Sequence, residues 1–258
     1  MAHERLEIHD KMQKDFIDLV AHELRTPLTP IIGLTEYVKD KTTNKKHREL
    51  LNRVVIDAKK LSELNEKIID VTKIESNLFE LDKEKFNINY LLSQTIESIR
   101  DFHKDFIKKL TLELIDSGRD YVVWADKHRL RQVFFSLIEN SIKSISEKEL
   151  NEGFISISIK EFLIEDNKCK SADDASSDIT SNSSEMISIS VTDSGKGIDE
   201  TIQKRLFTKF ASKSYQGSGL GLYITKTIIE MHGGKIWIER NEKDVGTTIS
   251  FSLPINCG

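Results

Sequence analysis

Two long stretches of helical periodicity open the chain, and both need an apolar partner. From Asp15 to Val38 the apolar residues are Phe16, Leu19, Val20, Leu24, Leu28, Ile31, Leu34 and Val38. A second series runs through Leu51, Val54, Ala58, Leu61, Leu64, Ile68 and Val71, with charges on the opposite face. Spacings of three and four residues gather each set into one stripe along a helix. The polar segment between them, Lys39 to Glu49, is short enough to force an antiparallel hairpin. Two helices cannot bury both stripes alone, so the pattern predicts a homodimer that closes a four-helix bundle.

Two of the three prolines, Pro27 and Pro30, fall inside the first stretch. Each removes a helical hydrogen bond and crowds the carbonyl four residues back, a cost of ~3 kcal/mol. The affected carbonyls belong to Glu23 and Thr26. The weakened turn therefore follows His22, which has a carboxylate, Glu23, beside it.

After Ser76 the texture changes. Segment 79–106 reads as a short strand and a helix opened by Asn87; "LTLELID" and "YVVWAD" alternate as strands. "KHRLRQVFFSLIENSIKSIS" is strongly amphipathic. "GFISISIKEFLIE" and "EMISISVTD" are strands flanking a Ser/Asp/Asn-rich segment with almost nothing to bury. A Gly-rich stretch, the helix "GLYITKTIIEMHG" and the strands "GKIWIER" and "GTTISFSLP" follow. The expected organisation is an all-α helical hairpin over 1–78, then an α/β (α+β) domain over 79–258. That second domain has a mixed sheet with helices on one face. Residues 167–185 are expected to form a disordered insert.

Composition narrows the function classes. The net charge of −4 gives no electrostatic reason to expect nucleic acid. Cys169 and Cys257 lack any metal or redox spacing and read as free thiols in a reducing, cytoplasmic compartment. No apolar run approaches the roughly 18–20 residues that span a bilayer, so no membrane contact is expected from this segment. The chain starts in mid-helix pattern without a cap, which leads us to expect an upstream portion, such as a sensor that could itself be membrane-bound.

Chemistry concentrates in two glycine clusters. "VTDSGKGID" places Asp193 at a strand end before Gly195 and Gly197; "QGSGLGLYITK" places Gly217, Gly219 and Gly221 at a helix start. A glycine turn entering a helix N-terminus cradles phosphate, because backbone N–H groups and the helix dipole meet the anion at close range. Neither cluster has Walker-A spacing, and singly each is compatible with a plain tight turn. Their order is more specific. A helix ending "NSIK", then strand–Asp–x–Gly–x–Gly, "LFTKF", "GSGLGL" and "GTTISFSLP" resembles the Bergerat-type ATPase domain over about Phe86 to Pro254. With "HELRTPL" ahead of it, nearly the whole chain resembles the core of a sensor histidine kinase.

That resemblance implies an ATP-dependent protein-histidine kinase that autophosphorylates on His22. It then passes the phosphoryl group to an aspartate of a response-regulator receiver domain. Glu23 matches the acidic residue that takes or orients the imidazole proton. Thr26 matches the position that orients water for dephosphorylating the regulator. Asp193 would accept from the adenine amine, with Gly195 and Gly197 admitting the base and Thr248 as the supporting threonine. Asn140 matches the Mg²⁺ ligand and Lys143 a lysine near the phosphates. Gly217, Gly219 and Gly221 match the ATP lid, and Phe207 and Phe210 the aromatic pair that anchors it. Two positions depart from the pattern. Ser136 stands where a first asparagine is usual, and Ser144 where an aromatic follows the lysine. They leave open a second reading, a degenerate nucleotide-binding dimeric signalling module; a clamp ATPase is a third.

Overall fold

The computed structural model describes residues 19, 23, 25–103, 110–115, 118–148, 152–165, 183–211 and 218–255. His22, Gly217 and positions 167–182 of the expected insert lie outside the described residues. The chain divides into two compact units. One comprises Met1–Glu80 with Ser214–Ile224, the other Leu81–Lys213 with Thr225–Gly258.

In the first unit, helix α1 covers 25–41 and remains helical through both prolines. Helix α2 spans Lys45–Glu75. The connection is only 42–44, much shorter than the polar stretch from Lys39 to Glu49. Lysine, arginine and glutamate are good helix formers, so polarity did not end either helix. Asn44 starts the second one, its Oδ1 accepting from the His47 N–H at 3.2 Å. Lys59 Nζ donates to Glu36 Oε1 at 2.7 Å, tying α2 to α1. Leu28, Val55 and Ala58 are buried, yet Ile31, Leu34, Val38, Val54, Leu61, Leu64 and Ile68 remain exposed. A single hairpin thus leaves a long apolar seam in water.

The second unit begins with β1 (Glu84–Asn87) and α3 (Ile88–Phe102), capped by Asn87, whose Oδ1 accepts from the Tyr90 N–H at 3.1 Å. Strands β2 (Leu110–Ile115) and β3 (Val122–Ala125) and helix α4 (Lys127–Ser146) follow. Then come β4 (Gly153–Glu165), β5 (Ser183–Asp193) and the short α5 (Glu200–Gln203). Helix α6 (Gly221–Met231), β6 (Ile236–Glu242) and β7 (Gly246–Pro254) finish the fold. Strand β5 starts at Ser183, so Ser183–Glu185 belong to the ladder, paired with Leu163–Glu165, and not to an insert. Backbone hydrogen bonding extends the hairpin where polar composition suggested a loop.

The main sheet has the order β2-β4-β5-β7-β6, and β1 pairs with β3 in a separate ribbon. Strand β2 lies parallel to β4, with β3 and α4 as the crossover; the other main-sheet pairs are antiparallel. Ile155, Ile157, Ile159, Ile187, Ile189, Val191, Phe251 and Leu253 are buried on one face of the sheet. The serines between them, Ser156, Ser158, Ser188 and Ser190, point to the opposite face. Leu130, Phe134, Leu137 and Ile138 of α4 are also buried, and Phe134 meets Phe251 with ring centres 5.8 Å apart. Each such side chain contributes about 1.5–3 kcal/mol by leaving water. No helix among the described residues is long and apolar enough to cross a membrane.

One buried histidine fastens this unit. His232, just after α6, donates from Nδ1–H to the Ile228 carbonyl at 2.7 Å, and its Nε2 accepts from the Asp126 N–H at 2.9 Å. Asp126 also caps α4 through Arg129 N–H and accepts from Asp82 N–H, both at 2.9 Å. Burial holds the His232 imidazole below its ordinary pKa, with the Lys83 charge adding to the effect against the Ile228 bond and Asp126. The unfolded chain therefore binds this proton more readily, and stability falls as pH drops from about 6.5 toward the lowered native value. Urea unfolding at pH 7.5 and 5.5 should show that loss. His232→Ala should be weaker at pH 7.5 but lose less between the two.

Candidate functional site

The site grows from the carboxyl end of β5, where the strand must stop to let a loop turn back. Asp193 is buried there, opposite Thr247 on β7 and Ile155 on β4. Its Oδ1 accepts from the Gly195 N–H at 2.8 Å and its Oδ2 from the Ser141 hydroxyl on α4 at 3.2 Å. The Thr247 N–H also bonds the carboxylate. Burial nevertheless dominates and raises the Asp193 pKa above the usual aspartate value; the Gly195, Ser141 and Thr247 bonds and the Lys148 charge oppose it. A carboxylate so held retains lone pairs for a further donor.

Gly195 and Gly197 shape the space beside it. A Cβ on Gly195 would collide with Ser144 on α4 and lie 2.8 Å from Asp193 Oδ1. Gly197 has φ +81°, and a Cβ there would lie 2.8 Å from the Glu242 carbonyl. Lys148 Nζ donates to the carbonyls of Asp244 at 2.6 Å and Ser194 at 3.2 Å, binding this loop to the β6–β7 turn. The position sets a buried acceptor at the start of a glycine loop whose backbone packs close against Ser144 of α4 and the Glu242 carbonyl.

Other expected residues fall as follows. Asn140 is half-buried on α4, and its amide makes no hydrogen bond among the described residues. Lys143, one turn later, is exposed. No group of three or more His, Cys, Asp or Glu among the described residues could hold a metal. A magnesium ion held by Asn140 would therefore take its remaining ligands from phosphate and water, which suits its reluctance to dehydrate. Phe207 is half-buried, and Phe210 is exposed with φ +59°. Gly219 has φ +66° and Gly221 begins α6, both in the 214–224 segment of the other unit. Glu23 and Thr26 are helical and exposed on the first unit.

The threonine that the structure brings to Asp193 is Thr247, one residue before Thr248. Thr248 Oγ1 instead lies 3.0 Å from Thr192 Oγ1, on the opposite sheet face. Ser141, the other unexpected contributor, follows Asn140 directly; counting one helical turn to Ser144 could have placed it on the same side.

Residues 125–256 match the family described as histidine kinase-, DNA gyrase B-, and HSP90-like ATPase. The chain belongs to that family. Residues 12–77 match the His Kinase A (phospho-acceptor) domain, so the two halves of a sensor histidine kinase core stand in order. The chain is 32% identical to hybrid signal transduction histidine kinase B of Dictyostelium discoideum over 94% of its own length and 11% of that protein's. It is 27% identical to the autoinducer 2 sensor kinase/phosphatase LuxQ of Vibrio vulnificus, over 100% of this chain and 28% of LuxQ. It thus spans less than a third of these relatives. The fold is that of full-length ShkA, solved in complex with AMPPNP (TM-score 0.69, 20% identity, 95% of this chain and 46% of that one). It is also that of the Acinetobacter baumannii histidine kinase AdeS (TM-score 0.57, 22% identity, 92% and 98%).

Proposed function

We propose that this chain, as a homodimer, phosphorylates itself on His22 from ATP and passes the phosphoryl group to a receiver-domain aspartate. The observation that carries this is the buried Asp193 carboxylate beside the Gly195–Gly197 loop, in a chain whose first part matches a phospho-acceptor domain. The division of labour follows 1–78 for the phosphoacceptor hairpin and 79–258 for ATP binding. The exposed seam of α1 and α2 supports the dimer, since a second copy supplies an apolar face of matching length.

The chemistry needs few groups. Asp193 accepts the adenine amine, while Gly195, Gly197 and Thr247 fix the base. Asn140 would hold magnesium, which neutralises phosphate charge, with Lys143 nearby. Gly217, Gly219 and Gly221 supply backbone N–H groups to the phosphates, and Phe207 and Phe210 anchor that lid. The imidazole lone pair of His22 forms the new N–P bond as the γ-phosphorus–oxygen bond breaks. The electron pair leaves with ADP and the imidazole proton passes to Glu23.

Incubation with γ-labelled ATP and magnesium tests the reading. Acid-labile, base-stable label on the chain supports a kinase; free phosphate alone indicates a clamp ATPase, and neither product a binding module. Thr26 follows His22 by four residues in sequence, a spacing that sets two residues on one face wherever a helix is continuous, and its hydroxyl can there hold a water toward a docked phosphoaspartate. The name of LuxQ, a kinase/phosphatase, favours that second activity. Thr26→Ala should therefore spare labelling and slow dephosphorylation of a phosphorylated regulator. An unchanged rate would remove Thr26 from the site.

A further inference from the structure

Asn241 lies in no recognised motif, yet its amide is saturated. Its Oδ1 accepts from the Ile198 N–H at 2.7 Å and from the Thr247 hydroxyl at 3.5 Å. Its Nδ2 donates to the Ile198 carbonyl at 2.9 Å and to Gln203 Oε1 at 3.2 Å. The amide orientation is unambiguous, because Ile198 presents one obligate donor and one obligate acceptor. A single side chain thus pairs with both backbone groups of Ile198, as a neighbouring strand would.

Sheet geometry explains how an asparagine on β6 reaches that loop. Ile238 pairs with Ile249, but Arg240 pairs with Thr248, and the register shifts between them. This bulge re-aims the following side chains by one position. Asn241 then falls opposite Thr247, and Thr247 opposite Asp193, giving one row across three strands. Without the bulge, Arg240 would face Thr247. The segment after Asp193 leaves the sheet at Ser194, and Gly197, with φ +81°, sits 2.8 Å (as a virtual Cβ) from Glu242 O and 3.2 Å from Asn241 Oδ1. Gln203, the last residue of α5, is the third piece held by the same amide.

We propose that Asn241 is a positioning residue for the nucleotide site: it holds the Gly197–Ile198 loop, Thr247 and α5 in the arrangement that presents Asp193 to adenine. This rests on the nucleotide-binding reading above. Asn241 touches neither base nor phosphate in this role. Its action is to keep the loop from sampling other conformations, so that binding does not have to order it.

The test uses the full chain and three variants: Asn241→Ala; Asn241→Asp, which keeps the shape but loses both donors; and Asn241→Ser as a milder change. ADP binding with magnesium is measured by calorimetry, unfolding by urea, and amide hydrogen exchange at Gly197 and Ile198. Losing all four of these hydrogen bonds in Asn241→Ala, or the two donated ones in Asn241→Asp, should weaken ADP about tenfold or more. Protein that still unfolds cooperatively should show faster exchange at Ile198. In the labelling reaction KM for ATP should rise by a similar factor while kcat stays within about twofold. The loss should be less than multiplicative with Asp193→Asn, since both act on one contact. ADP affinity within twofold of wild type in both variants, or lost only in proportion to unfolded protein, would overturn the proposal. If Asn241→Ala does not fold, Asn241→Asp and Asn241→Ser decide on the same criteria. Wild type that binds no ADP would instead sink the nucleotide reading and this proposal with it.

Discussion

His22→Gln leaves the chain without acid-labile phosphate, below ~1% of wild-type label, while ADP affinity stays within about twofold. Glutamine keeps polarity and approximate reach but has no nitrogen lone pair free to attack phosphorus, its amide nitrogen being delocalised into the carbonyl. No partial activity is expected, because glutamine leaves no nucleophilic lone pair at that position. Nucleotide binding is spared because His22 is not among the residues proposed to hold adenine, magnesium or phosphate. The measurement pairs γ-label incorporation with calorimetry on one preparation. Label at wild-type level would place the acceptor on a different residue. Loss of ADP binding as well would mean that the two units are not functionally separable.

Asp193→Asn should weaken ADP binding by one to two orders of magnitude, the equivalent of losing a hydrogen bond to a charged group, about 1.5–3 kcal/mol. Three donors already converge on this carboxylate, from Gly195, Ser141 and Thr247. An amide can satisfy the Gly195 N–H through its oxygen, and its NH₂ group can donate to the Ser141 hydroxyl, which then accepts. The conflict falls where the adenine amine, itself a donor, would bind. Stability should respond differently. Burial raises the native pKa of Asp193, so the folded chain holds this proton more readily than the unfolded one. Wild-type stability therefore declines as pH rises from about 4 through the raised native value, and is flat with respect to this group above it. Asp193→Asn should remove that slope. Equal ADP affinity in the two proteins, by calorimetry at neutral pH, would remove Asp193 from the nucleotide site.

Much of this was legible in order and alternation. The helical stripes, the Asn87 cap and the Ile/Ser strands follow from side-chain period, and the domain class from the succession of "NSIK", "DSGKG", "GSGLGL" and "GTTISFSLP". What stayed hidden depends on pairing between distant residues. Thr247 and Thr248 are adjacent and identical in type; only the antiparallel register with β5 says which one faces Asp193. Asn241 depends on a bulge, which no local pattern announces. Ser183–Glu185 are polar in sequence, and only their ladder register with Leu163–Glu165 places them in the strand. The connector between α1 and α2 is shorter than its polar sequence suggests because a charged helix surface and a charged loop have the same composition.

The repeated Ile-Ser alternation in β4 and β5 has a cost for assembly. Sliding one strand past the other by two residues would still set isoleucine against isoleucine and serine against serine, so side-chain pattern alone does not forbid a misregistered hairpin. Ser194 breaks that degeneracy: its N–H donates to the Phe154 carbonyl at 3.1 Å, and its hydroxyl accepts from the Phe154 N–H at 2.9 Å. Ser194 sits between Asp193 and Gly195, so the loop we propose frames the base is also the pin that indexes β4 against β5. A chain slipped by one repeat could keep its apolar face yet would carry Asp193 about 7 Å from its place. Correct threading of the sheet and competence for nucleotide are therefore decided at the same residue.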